Sequence, residues 1–96
     1  MSPHASTQME IESILRTAFA PIALEVIDDS AAHAGHKAAR EQPSAGHFKV
    51  IMKSARFDGL NAVKRHRLVY EQLNSLMDSK IHALSLSLFA SDEQLS

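Results

Sequence analysis

Apolar residues recur at Ile11, Ile14, Leu15, Ala18 and Phe19, the i, i+3, i+4, i+7, i+8 spacing of one helical face. Thr7 and Glu10 stand just ahead in a T-x-x-E arrangement, which caps a helix start, and Pro21 stops it by lacking a backbone donor. The pattern predicts a helix over 7–20. Ile22 to Asp28 is short and rich in β-branched residues, and reads as a strand. Phe48, Val50 and Met52 then alternate with Lys49, Ile51 and Lys53, a half-buried strand with two lysines turned from its core face. Phe57-Asp58-Gly59 reads as a turn, and Asn61 as the N-cap of a second helical region ending near Lys80. In that region Ala62, His66, Val69, Leu73, Leu76 and Met77 share a face; Lys64 and Arg67 project away from it and Arg65 sits at its border. Leu84, Leu86 and Leu88 alternate with Ser85 and Ser87, a strand with one dry and one wet face.

The order is α-β-β-α-β, or α-β-β-α-α-β if the helical region breaks near Arg65-His66-Arg67. Three strands with helices on one face make an α+β two-layer sandwich. Between Ser30 and Gly46 no apolar stripe exists, and a loop that long in a compact domain is often functional. With 96 residues the chain is read as one domain, 1–96, with its core over about 8–90 and a polar tail, 91–96, expected to fray.

Composition narrows the chemistry. There is no cysteine, so a thiolate-ligated site must take its sulfur from another molecule. No run approaches the ~20 apolar residues that cross a bilayer, and the first residues lack the basic-then-apolar form of a secretory signal. A soluble cytoplasmic protein that does not enter a membrane is expected. The net charge of −1 hides a gradient: residues 49–67 carry Lys49, Lys53, Arg56, Lys64, Arg65 and Arg67 against Asp58 alone, a balance of +5. Such a centre attracts phosphate or an acidic partner if folding keeps it together, and is an ordinary solvated surface if folding scatters it. No phosphate-binding glycine loop and no G-x-S-x-G elbow is present. Asp28 and Asp29 point to opposite faces of a strand, and nothing orients a Ser30–His33 pair. The reading is non-enzymatic.

Six histidines stand in different settings. His4 reads as incidental in the N-terminus and His47 as a strand-end residue with a satisfied hydrogen bond. His66 falls on the apolar stripe, where an imidazole is structural, its two nitrogens able to join layers. His33 and His36, three apart in the long loop, can face one metal, though a closed zinc site needs four ligands. His82 shares parity with Leu84 and Leu86 and reads as a core-edge residue.

Several blocks together resemble the BolA-like family. They are Ala62-Val63-Lys64-Arg65-His66-Arg67-Leu68-Val69-Tyr70 and Ile81-His82-Ala83-Leu84-Ser85-Leu86, with Leu24 to Ser30, His33-Ala34-Gly35-His36, Gly46 to Val50 and Arg56 to Leu60 in order upstream. The resemblance spans about residues 8–90. It implies an α-β-β-α-α-β fold similar to the class II KH topology, with the helix break near Arg65–Arg67. It also implies a partner, a monothiol glutaredoxin of the CGFS type, and a [2Fe-2S] cluster shared with that protein and glutathione, with no cofactor in the free protein, which is expected to be a monomer. The family's C-terminal histidine matches His82, and its loop ligand matches His33, with His36 as the alternative. Imidazole ligates only when neutral, so such binding should weaken below about pH 6.5. The family is also described as containing transcriptional regulators of stress response and cell morphology. DNA contact through Lys64, Arg65 and Arg67 is therefore the alternative role, salt-sensitive and weakly sequence-specific.

Overall fold

A computed structural model describes residues 4–30 and 45–95. The elements are α1 (Ala5–Phe19), β1 (Ala23–Asp28), β2 (Gly46–Lys53), a 3₁₀ turn (Ala55–Phe57), α2 (Ala62–Leu73), a second 3₁₀ turn (Asn74–Leu76) and β3 (Ile81–Phe89). The sheet order is β1-β2-β3, with β2 antiparallel to β1 and parallel to β3. The parallel pairing is possible because α2 carries the chain back across one face.

Helix α1 starts two residues before the predicted box. Its N-cap is His4, which makes no side-chain cap bond, and Thr7 lies inside the first turn, buried in line with Ile11, Leu15 and Phe19. Tertiary burial of that stripe outweighs the local capping pattern. His4 is not incidental: it is 7% exposed, and its ring stands edge-on to Phe48 at 6.1 Å. The far end of α1 is closed by the segment after β2. The Ser54 hydroxyl donates to the Phe19 carbonyl (2.8 Å) and accepts from the Arg56 N–H (3.1 Å), and Arg56 donates to the Ala18 carbonyl (3.2 Å). Carbonyls that the helix itself leaves unpaired are thereby satisfied.

Phe48, Val50 and Met52 pair in register with Leu84, Leu86 and Leu88 and face both helices; they join Ile11, Leu15, Phe57, Val69 and Leu73 in one core. The opposite face carries Lys49, Ile51 and Lys53, paired with Ser85, Ser87 and Phe89, all exposed or half-exposed. This is the expected α+β two-layer sandwich.

The expected break near Arg65–Arg67 does not occur. Helix α2 runs unbroken from Ala62 to Leu73, and the additional helical turns are the 3₁₀ segments on either side. Nothing in Arg65-His66-Arg67 interrupts a helix, whereas Gly59, with φ +75°, supplies the left-handed residue that turns the chain just before Asn61. The Asn61 side chain then caps α2 by accepting from the Lys64 N–H at 2.9 Å.

The tail is tied down as far as Glu93. Asp58 accepts from the Ser91 N–H and hydroxyl, both at 2.8 Å, and Glu93 accepts from the Ala90 N–H at 2.6 Å. Among the described residues no helix is long and apolar enough to cross a membrane.

Candidate functional site

The first feature of the site is an irregularity in the sheet. Gly46 pairs with Ile81, but His47 pairs with Ala83, so His82 is an extra residue bulged out of β3. A bulge sets two residues of one strand against one of the other and resets the alternation. Ile81 and Leu84, three apart, both reach the core as a result. His82 is thereby removed from the face of Leu84 and Leu86, which corrects its reading as a core-edge residue. His47 alternates with Phe48 and lies on the open face of the sheet, and the His82 ring packs against it with centroids 5.1 Å apart. His47 is buried while His82 stays partly accessible. His47 therefore braces the ring that solvent or a partner can reach. Sequence reasoning missed this pairing because strand parity places His47 and His82 without knowledge of the bulge.

Gly46 explains why the strand can start there. A Cβ at this position would stand 2.8 Å from Phe48 Cε2 and 3.0 Å from His4 Cγ. Only a residue without a side chain lets the His4 and Phe48 rings close over the backbone that presents His47.

The long loop departs and returns at the same end. The Asp29 N–H donates to the His47 carbonyl (2.7 Å), and the His47 N–H donates to the Ser30 hydroxyl (3.1 Å). His33 and His36 lie outside the described residues. Among the described residues no three of His, Cys, Asp and Glu gather into a metal site. His82 offers an accessible imidazole, a donor suited to iron, and the chain holds no cysteine, so a cluster held here would need its sulfur from another molecule.

Folding scatters the basic segment. Lys49 and Lys53 stand on the open sheet face, while Lys64 and Arg67 are exposed on α2, on the other side of the molecule. Arg65 is built into the fold. Its guanidinium donates to the carbonyls of Leu60 (2.9 Å) and Leu88 (3.3 Å) and pairs with Glu93 at 2.6 Å, leaving its side chain 15% exposed. Tyr70 donates likewise to the Leu84 carbonyl (3.3 Å), so α2 covers part of the outer edge of β3. His66 does not join layers: its Nδ1 bonds the Ala62 carbonyl of its own helix at 2.8 Å.

Two carboxylates around this clamp are held below their usual range. The Ser91 N–H, then its hydroxyl, stabilises the charged form of Asp58. The Ala90 N–H, then Arg65, does the same for Glu93.

Fold and site together define a small two-layer α+β domain with a three-stranded mixed sheet. A family model described as BolA-like protein matches residues 15–93, and the chain belongs to that family. It is 40% identical over 86 residues to the DNA-binding transcriptional regulator BolA of Escherichia coli K12, covering 86% of this chain and 74% of that protein. It is 43% identical to the SufE-like protein 1, chloroplastic/mitochondrial, of Arabidopsis thaliana, covering 84% of this chain but 23% of that much longer protein. Among solved structures, the BolA domain of SufE1 from Arabidopsis thaliana matches at 37% identity and TM-score 0.78, over 90% of this chain and 93% of that one. The solution structure of BolA1 from Mus musculus matches at 30% identity and TM-score 0.71, over 94% of this chain and 67% of that one.

Proposed function

We propose that this protein is a BolA-like adaptor that binds a CGFS monothiol glutaredoxin and shares a [2Fe-2S] cluster with it and glutathione, in iron–sulfur trafficking or iron homeostasis. The carrying observation is the β3 bulge, which turns the His82 imidazole onto the open sheet face beside the stems of the loop that holds His33 and His36. His82 and His33, or His36 in its place, would hold the cluster through imidazole nitrogen, and the partner cysteine and glutathione would supply the sulfur the chain lacks. The free protein is read as a cytoplasmic monomer without cofactor. Anaerobic co-purification with a CGFS glutaredoxin, glutathione and iron tests this by visible absorption and circular dichroism. A spectrum distinct from that of the glutaredoxin alone, and changed in His82→Ala, is expected. An identical spectrum in His82→Ala removes the ligand assignment.

A second reading rests on Lys64 and Arg67, exposed on α2 without an ion-pair partner among the described residues, and on the relative named as a DNA-binding regulator. Here the two side chains contact phosphate, and Arg65 serves the fold. Each phosphate contact adds about one to the salt slope of duplex binding. A slope unchanged in Lys64→Ala, Arg67→Ala sinks this reading.

A further inference from the structure

The open face of the sheet next to the imidazole pair has a chemistry of its own. Lys49 stands two residues along β2 from His47, with Ser85 opposite it; Lys53 stands four further on, opposite Phe89, and Ile51 lies between the lysines. Neither lysine makes an ion pair among the described residues. Resting on the cluster-sharing reading, we propose that the thiol-bearing partner is seated on this face, with Lys49 and Lys53 holding carboxylates at its rim.

Three observations lead there. First, His47 and His82 both turn to this side. A thiolate that shares iron with His82 must approach the same face, whereas the cations of α2 are separated from it by the sheet and a helix layer about 10 Å thick. Second, the face is suited to an anionic protein surface. Two lysines flank an apolar strip of Ile51 and Phe89, while Glu25, opposite Ile51 on β1, is the one carboxylate that faces them from the neighbouring strand. The strip offers area to bury, and the lysines give steering and register by complementary charge. Third, the basic segment 49–67 is not one surface: Lys49 and Lys53 lie on the sheet, Lys64 and Arg67 on α2. The fold forces a choice, and the position of His82 makes it.

The test uses the full chain and a CGFS monothiol glutaredoxin with glutathione and iron, under anaerobic conditions at two salt concentrations. Reversing Lys49→Glu with Lys53→Glu is expected to weaken association roughly tenfold or more and to flatten its salt dependence, the sum of two exposed pairs turned repulsive. Neutral Lys49→Gln with Lys53→Gln should lose less, and it guards against a folding defect in the reversed pair. Lys64→Glu with Arg67→Glu should keep wild-type affinity. The opposite pattern, with the α2 pair weakening association and the sheet pair silent, overturns the proposal. If the wild type forms the complex, His82→Ala alters its spectrum and the sheet pair has no effect, the cluster reading stands and the proposal falls. If the wild type forms no complex, both fall. Loss of duplex DNA binding in the sheet pair with partner affinity unchanged assigns the face to nucleic acid and also overturns the proposal.

Discussion

Gly46→Ala couples the packing of the domain to the presentation of its imidazoles. The added Cβ would stand 2.8 Å from Phe48 Cε2 and 3.0 Å from both Phe48 Cζ and His4 Cγ. Those rings are not flexible ends at the surface: Phe48 is 2% exposed and His4 7%. Relief needs a shift of the Phe48 ring or of the β2 backbone at the bulge, and overpacking of this kind costs about 1–3 kcal/mol. At about 4–8 °C per kcal/mol for a domain of this size, the melting midpoint should fall by roughly 4–24 °C. Urea denaturation gives the free energy directly, and the imidazole NMR signals of His47 and His82 report whether their packing moves with it. Phe48→Leu removes the nearest clashing atoms, so Gly46→Ala and Phe48→Leu together should cost less than the sum of the two alone. Wild-type stability in Gly46→Ala, or strict additivity in the pair, would refute the view that these rings close over a bare backbone.

Other consequences can be measured with the same protein. Ser54→Ala removes a fully buried hydroxyl that serves as donor to Phe19 and as cap acceptor for Arg56, and should cost about 1–3 kcal/mol by denaturant titration; a loss below about 0.5 kcal/mol contradicts the joint. Asp58 and Glu93 have folded-state pKa values held below their unfolded ones, so their contribution to stability is present above about pH 4 and is lost as pH falls through the folded values. The Ser91 and Ala90 amide shifts should titrate with midpoints under the ordinary carboxylate range, and Asp58→Asn should abolish the Ser91 transition. Arg65→Ala should loosen the tail and lower the unfolding midpoint, whereas Lys64→Ala should leave stability within about 0.5 kcal/mol of wild type.

Periodicity in the chain determined the element types, the core face of each strand and the two-layer architecture. Ile11, Leu15 and Phe19, or Phe48, Val50 and Met52, are bound to one face whatever they pack against, because backbone geometry sets the repeat. The family resemblance was likewise carried by residue blocks that need no coordinates. Tertiary structure decided everything that depends on register and on neighbours distant in sequence. The buried stripe of α1 outweighed the Thr7–Glu10 box, and Gly59 and Asn61 moved the expected helix break ahead of α2. Arg65 left the basic surface because Leu88 and Glu93, more than twenty residues away, lie within reach of its guanidinium. The six cations between Lys49 and Arg67 were divided between surfaces by strand alternation and helix packing. His82 changed faces because one extra residue in β3 reverses the parity on which its sequence reading rested, and nothing local to Ile81-His82-Ala83 signals where a parallel partner strand will slip.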